Sequence, residues 1–339
     1  MRQIRIPAQG EMIVEQASKP TAGAGQVLLK IKYVGFCGSD LNTFLGRNLM
    51  AKEAVIPGHE IGAVIESTGT DVPAFLTPGM TVTVNPYTNC GHCAACRSGH
   101  SNACEFNETL GVQRDGAMRD YMVLPWQKII PAQAISPRDC ALIEPMSVGF
   151  HAVSRAQVTD SDVVLVFGCG MIGVGAIVRA SLRGATVIAV DLDNDKLALA
   201  RRLGATHTIN SKEQDLHTEI IGLTDGLGPT VVIEAVGSVP TYQAAIDEVA
   251  FSGRVVCIGY SKNDVTFHTS LFVKKEINIH GSRNAMPSDF EAVIRYLQRG
   301  NCPKDELISA VVKPDDAIGA MQKWVEDPGK VFRILVDFA

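Results

Sequence analysis

Four cysteines lie close together in the chain at spacings that suit a metal ion. They follow the pattern C-x2-C-x2-C-x7-C, and they are Cys90, Cys93, Cys96 and Cys104. Four thiolates held about 2.3 Å from Zn²⁺ occupy every position of its tetrahedral coordination and leave none for water or substrate. We therefore predict a structural zinc site here, in a small folded lobe, and expect the active site elsewhere.

Two other interpretations of these cysteines are a disulfide framework and a zinc ribbon that contacts nucleic acid. Residues 1–7 lack the apolar run of a signal peptide and nine cysteines is an odd total, so we expect a reducing compartment, the cytoplasm. With 31 Lys and Arg against 36 Asp and Glu, the net charge is −5, so nucleic acid is not an expected partner. Apolar runs such as 163–167 are far shorter than the roughly 20 residues of a membrane helix, so no membrane contact is expected.

A second set of metal-binding side chains is chemically mixed. Cys37 stands in the segment C-G-S-D, His59 and Glu60 stand in G-H-E, and Glu144 precedes a proline. A thiolate, an imidazole and carboxylates are a suitable set for a zinc that keeps one position open to water or an alcohol. Alternatively, Cys37 is a small core residue, His59 a hydrogen-bonded structural residue and Glu144 a helix cap. The spacing alone does not decide between these interpretations.

A glycine-rich turn follows the apolar run 163–167 and has the pattern G-x-G-x-x-G. Such a turn needs no side chain where a pyrophosphate approaches, and it opens a helix whose first N–H groups face the phosphates. Asp191 ends the next strand, where a carboxylate can accept hydrogen bonds from the ribose hydroxyls of adenosine, and the first following cation is Lys196, so NAD is favoured over NADP. The alternative is that the glycines form only a turn. The residues predicted to bind the dinucleotide are Gly168, Gly170, Met171, Ile172, Gly173 and Asp191.

The elements that must position these residues change in character along the chain. Up to about residue 130, short strand-like runs alternate with Gly, Pro and Asp turns, and they are residues 27–31, 63–66 and 81–84. After about residue 155, apolar strands alternate with helical stretches, and these strands are residues 163–167, 186–190, 231–236 and 254–258. The second pattern is typical of a parallel sheet covered by helices. A helix over 289–298 and a strand over 331–336 complete the prediction, and the strand is expected to return to the first domain.

Taken together, these motifs resemble those of the zinc-dependent medium-chain dehydrogenases, in the branch of sorbitol, threonine and sugar-acid (L-galactonate-like) dehydrogenases. The resemblance covers essentially the whole chain. It implies an α/β protein with an N-terminal, mostly β, GroES-like catalytic domain and a Rossmann domain with a doubly wound parallel sheet. We expect the catalytic domain over residues 1–150 and 286–339, its zinc lobe over about 88–106, and the Rossmann domain over 151–285.

The resemblance also implies roles for individual residues. Cys37, His59 and Glu60 would hold a catalytic zinc at rest, and Glu144 would bind it directly or through water, which gives two zinc ions per chain. Ser39 stands where the family keeps a hydroxyl that takes the proton from the alcohol. Three positions later, many relatives carry a histidine but this chain has an asparagine, which accepts no proton near neutral pH, so the onward relay must differ. A homotetramer or homodimer is expected.

The implied reaction is hydride transfer between the secondary alcohol of a polyol, sugar or sugar acid and NAD⁺. Arg283, in the segment G-S-R-N-A, is a candidate partner for a substrate carboxylate, with a domain-interface or cofactor contact as the alternative. Two other functions stay open at this point. One is a zinc-free quinone or enoyl reductase on the same fold, and the other is a non-catalytic, NAD-binding redox sensor.

Overall fold

The computed structural model describes residues Met1–Ala339 and contains fifteen strands and eleven α-helices. The strands are β1 Arg2–Arg5, β2 Ile13–Gln16, β3 Gln26–Phe36, β4 Glu60–Thr68, β5 Thr81–Val84, β6 Tyr121–Pro125, β7 Ile129–Pro131, β8 Val163–Phe167, β9 Thr186–Asp191, β10 His207–Asn210, β11 Val231–Glu234, β12 Arg254–Cys257, β13 Asn278–Gly281, β14 Ala310–Val312 and β15 Ile334–Asp337. The helices are α1 Gly38–Phe44, α2 Ala94–Arg97, α3 Pro137–Cys140, α4 Ile143–Arg155, α5 Met171–Leu182, α6 Asn194–Arg202, α7 Leu216–Leu223, α8 Val239–Glu248, α9 Ser270–Lys275, α10 Pro287–Gln298 and α11 Ala317–Glu326.

The chain forms two units. The first comprises Met1–Glu144 and Val293–Ala339, and the second comprises Pro145–Ala292. Both changes of unit fall inside helices, α4 and α10, and the boundaries predicted from the sequence lie within or beside the same two helices.

The first unit is mostly β, and β3 is its central strand. Strands of this unit form a seven-stranded sheet with the order β14-β15-β3-β4-β5-β7, and β6 also pairs with β3. Strand β15 pairs antiparallel with β3, so that Ile334 lies opposite Phe36, and residues from near the C-terminus thereby complete the sheet. The apolar side chains of these strands, with α11, form one buried core.

The second unit is a parallel six-stranded sheet with the order β10-β9-β8-β11-β12-β13. This is the order 3-2-1-4-5-6 of the doubly wound dinucleotide-binding fold, and it confirms the predicted α/β class. Strand β8 is apolar almost throughout because helices cover both faces of the sheet, which leaves separate cores on its two sides.

Several predicted strands differ at their ends, and two of them show a local cause. The run predicted over 231–236 stops at Glu234, because the N–H groups of Val236 and Gly237 donate to the Glu234 carboxylate in a turn where Gly237 has a φ of +80°. The strand predicted over 331–336 starts at Ile334, because a 3-10 helix occupies Pro328–Lys330 just before it. None of the helices combines the length and the apolar character needed to cross a bilayer.

Candidate active site

The side chains of Cys37, His59 and Glu60 meet in the first unit. Their candidate ligand atoms all lie within 4.8 Å of one another. Cys37 follows the end of β3 and caps α1, while Glu60 is the first residue of β4 and His59 immediately precedes it. The three candidate ligands therefore come from the adjoining ends of two paired, antiparallel strands.

A glycine opposite Glu60 makes room for its carboxylate. Gly35 is the register partner of Glu60 in the β3–β4 ladder. A Cβ atom at Gly35 would lie 2.1 Å from Oε2 of Glu60, far closer than real side chains approach each other. Only glycine therefore allows the Glu60 carboxylate to lie over β3 in this position.

Asp40 ties the two ligand-bearing segments together. Its Oδ2 accepts a hydrogen bond of 2.8 Å from the Cys37 N–H, and its Oδ1 accepts one of 3.4 Å from the Gly58 N–H. The side chain is fully buried, and this burial raises the pKa of Asp40. Our sequence interpretation gave Asp40 no role, although an acid three residues after a helix cap is a known capping signal.

Arg333 brings a positive charge to the same place from just before β15. Its Nε lies 3.0 Å from Oε2 of Glu60, and Nη1 donates a 2.7 Å hydrogen bond to the carbonyl of Phe36. Arg333 is 5% exposed and Glu60 is not exposed at all, so this is a buried ion pair. No motif pointed to Arg333, because only the pairing of β15 with β3 brings it to Glu60.

The electrostatics of the three ligands suit a bound cation. Burial raises the pKa of Glu60 well above its usual value, and Arg333 only partly opposes this. Burial alone would raise the pKa of Cys37, but the charge and hydrogen bond of His59 outweigh it and lower that pKa. Nδ1 of His59 and Oε1 of Glu60 are buried without a hydrogen-bond partner. Such atoms are costly to bury unless a ligand such as a metal ion satisfies them, and the donor set fits zinc.

Glu144 is held differently from the other three residues. It is not in the group of atoms within 4.8 Å, and its Oε1 accepts a hydrogen bond from the hydroxyl of Tyr87. Both residues are buried. Glu144 is nevertheless near the cluster, because its negative charge is one of the influences that raise the pKa of His59 against the opposing effect of burial. The sequence offered no reason to single out Tyr87.

Ser39 lies in the first turn of α1, two residues after Cys37. Its Oγ is buried and makes no hydrogen bond within the protein. The amide of Asn42 donates a 2.9 Å hydrogen bond to the carbonyl of Gly38 and is therefore engaged with its own helix. The departure from the family pattern at Asn42 thus leaves a side chain that stabilises α1.

The four lobe cysteines also converge, with their sulfur atoms within 4.8 Å of one another. Backbone N–H groups point at the sulfurs, as from Cys93 to Cys90 at 3.3 Å and from Cys96 to Cys93 at 3.5 Å. The N–H groups of Cys96 and Glu105 lower the pKa of Cys93 to about 6, while burial and the neighbouring thiols raise that of Cys96 to about 11. None of the nine cysteines is in a disulfide.

In the second unit, the three fingerprint glycines have different surroundings. Gly168 has a φ of +89°, and a Cβ there would lie 2.8 Å from Val236. A Cβ at Gly173 would lie 1.8 Å from the carbonyl oxygen of Gly168, whereas one at Gly170 would meet no atom within 4 Å. Helix α5 begins with Met171 and Ile172, so its first N–H groups face the open space beside Gly170.

Asp191 lies at the carboxyl end of β9, and its carboxylate is bound by backbone groups. Oδ2 accepts from Cys169 N–H at 2.7 Å, and Oδ1 accepts from the N–H groups of Leu192 and Asp193 at 2.8 and 3.1 Å. A carboxylate offers about four acceptor sites, so little more than one is left for a ligand. Arg283 is half-buried in the loop after β13 of the same unit.

Comparisons with known proteins agree with this architecture. Residues 23–134 match the model of the alcohol dehydrogenase GroES-like domain, and residues 172–299 match that of the zinc-binding dehydrogenases. The chain is 33% identical over 305 residues to sorbitol dehydrogenase of Halalkalibacterium halodurans and 34% identical over 300 residues to L-galactonate-5-dehydrogenase of Escherichia coli, each time covering 88% of both chains. A crystal structure of an alcohol dehydrogenase from Escherichia coli CFT073 in complex with NADH has a TM-score of 0.91 at 28% identity, over 99% of both chains.

The chain belongs to the zinc-dependent medium-chain dehydrogenases. This membership confirms the resemblance to the sorbitol and sugar-acid dehydrogenase branch, and with it the GroES-like and Rossmann folds of the two units. The dehydrogenase is an enzyme that uses zinc, a nicotinamide cofactor and a small-molecule substrate.

Proposed function

We propose that this dehydrogenase oxidises the secondary alcohol of a polyol, sugar or sugar acid with NAD⁺ at a zinc held by Cys37, His59 and Glu60. The observation that carries the proposal is the convergence of these three different ligands within 4.8 Å, with buried atoms that lack other partners. Three protein ligands leave the fourth position of a tetrahedral ion for the substrate. The second zinc of each chain, held by the lobe cysteines, has no such position.

When bound, zinc supplies the Lewis acid that lets an alcohol ionise near neutral pH; for water, the shift in pKa is from 15.7 to about 7. Ser39 would relay the proton of the alcohol: its Oγ, which has no competing hydrogen bond in the protein, would take up that proton while releasing its own hydroxyl proton. Asn42 cannot pass this proton on, so it leaves through water, a ribose hydroxyl of the cofactor or a carboxylate. Asp40 and Arg333 keep the ligands in place throughout.

The proposed cofactor is NAD rather than NADP. Asp191 supports this choice, since its negative charge would repel a 2′-phosphate and its fixed orientation leaves room for about one further donor. Gly168, Gly170 and Gly173 would surround the pyrophosphate at the start of α5. We also propose that the protein is a homotetramer or homodimer and that it works in a reducing compartment, the cytoplasm.

The relatives named for sorbitol and L-galactonate suggest a polyhydroxylated substrate. For a sugar acid, Arg283 is the proposed partner of the carboxylate. Replacing Arg283 with Ala should then raise the KM for a sugar acid far more than the KM for the corresponding neutral polyol. Equal changes would rule out the carboxylate role and favour an interface or cofactor contact.

Zinc analysis combined with a substrate screen tests the function. Sugar acids, pentitols, hexitols and threonine are each offered with NAD⁺, and NADH formation is followed by absorbance. We expect about two zinc ions per chain and turnover of at least one polyol or sugar acid. One zinc without turnover would favour the redox sensor, and the absence of zinc would favour the quinone or enoyl reductase.

A further inference from the structure

We propose that Tyr87 is a positioning residue that holds Glu144 away from the catalytic zinc and so keeps the fourth coordination position open. This role rests on the proposed zinc site of Cys37, His59 and Glu60. It would explain why Glu60, and not Glu144, binds the zinc.

Tyr87 lies between β5 and the cysteine lobe, in a segment whose backbone is fixed by hydrogen bonds. Lys128 Nζ donates a 2.6 Å hydrogen bond to the Tyr87 carbonyl, and the Tyr87 N–H donates to Oδ1 of Asn85 at 3.1 Å. The backbone also forms an isolated bridge with Thr109. Because the main chain is held from three sides, the hydroxyl is presented at a defined position and does not simply follow Glu144.

Glu144 needs a partner where it lies. Its side chain is only 4% exposed, and a buried carboxylate is costly unless it is hydrogen-bonded or bound to a cation. The hydroxyl of Tyr87 donates to its Oε1. The carboxylate is also close enough to His59 for its charge to act on that imidazole. It is therefore within range of the zinc cluster but satisfied by another group.

The two glutamates of the site are thus oriented by opposite means. Glu60 is held from behind by Arg333, and its Oε1 remains without a hydrogen-bond partner and available to a metal ion. One oxygen of Glu144 is engaged by a phenol. A hydrogen bond to a charged group contributes more than a neutral one, so we expect the loss of this donor to favour a position of Glu144 closer to the positive charge of a bound zinc.

Replacing Tyr87 with Phe keeps the ring and removes only the donor. We expect Glu144 to enter the coordination sphere, so that zinc leaves the site to a chelator about tenfold to a hundredfold more slowly, while kcat falls by a similar factor. In the protein loaded with Co²⁺, the visible absorption bands should shift, because they report coordination number and ligand type. The Cys37→Ser variant, which keeps only the lobe ion, supplies the baseline for these spectra.

Two further variants separate positioning from structure. Tyr296→Phe, which alters another buried tyrosine of the first unit, should leave both the Co²⁺ spectrum and chelator release unchanged. Combining Tyr87→Phe with Glu144→Gln should abolish the spectral shift, because a neutral amide is a poor ligand for zinc.

Three results would overturn the proposal: a Tyr87→Phe spectrum and release rate like those of the unmodified protein, a shift that persists with Glu144→Gln, or the same shift in Tyr296→Phe. Absence of any Co²⁺ signal above the Cys37→Ser baseline in the unmodified protein would instead reject the proposed zinc site itself.

Discussion

The two clusters of candidate metal ligands in this protein are built on opposite plans. The lobe uses four identical donors from one short stretch, Cys90 to Cys104, in loops and a single turn of helix. The cluster of Cys37, His59 and Glu60 uses three kinds of donor at the ends of long paired strands.

The difference extends to what surrounds the ligands. In the lobe, backbone N–H groups donate to the sulfurs, and two of the four cysteines are half-exposed. Around Glu60, the neighbours are a buried acid and a buried cation, Asp40 and Arg333. With zinc bound as proposed, the lobe would depend on its ion for structure, whereas the strands would hold the second cluster in place even before an ion binds.

The largest effect is expected from a substitution that disrupts the cluster of Cys37, His59 and Glu60 and leaves the cysteine lobe intact. Cys37→Ser should lower kcat/KM by more than about a thousandfold, because the Lewis acid is lost, with one zinc retained per chain. NADH formation and zinc content measure the two effects. Cys140→Ala, which changes a buried thiol outside both clusters, should keep both ions and most of the activity. Substantial turnover by Cys37→Ser would remove the proposed role of the cluster.

Removing a cysteine of the lobe should destabilise the lobe and leave the zinc at Cys37, His59 and Glu60 in place. In Cys104→Ala we expect hydrogen exchange of the lobe, residues 88–106, to lose at least about 3 kcal/mol of protection, because zinc provides much of its folding free energy. Exchange monitored by mass spectrometry measures this loss, while the catalytic zinc should be retained. Unchanged protection would mean that the lobe folds without its ion, and the contrast between the clusters would disappear.

The buried cation behind Glu60 is the next point to test. Arg333→Met should lower the free energy of unfolding of the metal-free protein by about 3 kcal/mol, because Glu60 is left buried without its partner. Urea unfolding measures the change, and adding Glu60→Gln should recover most of it. Arg138→Met, which breaks an exposed pair with Asp305, serves as the control and should cost less than about 1 kcal/mol.

The smallest effect on stability is expected at Asp162, whose carboxylate has hydrogen-bond donors within the protein. Asp162 accepts hydrogen bonds from Thr159 and Thr230 and pairs with Arg254. Burial alone would raise the pKa of Asp162, but these partners outweigh it and lower the pKa below its usual value. The folded state therefore binds fewer protons than the unfolded state, so this stability is present above about pH 4 and is lost on acidification.

Asp162→Asn should accordingly cost about 1 kcal/mol at pH 7 and progressively less below about pH 4. Urea unfolding at pH 7 and pH 3 compares the two conditions. A cost that does not depend on pH would show that shape rather than charge matters at this position.

How far each part of the molecule could be predicted depends on how local its cause is. The cysteine lobe and the glycine-rich turn could be predicted because each is encoded by a short continuous segment. The parallel sheet could be predicted from apolar runs such as β8. Arg333 and Tyr87 were not predicted, because each reaches its glutamate only through long-range strand pairing or a distant helix. The turn at Gly237 also ends β11 earlier than predicted, and the apolar content of the segment does not indicate where that turn begins.

The pairing of β15 with β3 has a consequence for biosynthesis. The four lobe cysteines are all translated before the second unit, so this candidate metal site is complete early in synthesis. Arg333 is translated only after the whole second unit. Until then, Glu60 lacks its cationic partner, so the surroundings of the cluster of Cys37, His59 and Glu60 are completed only when β15 joins β3.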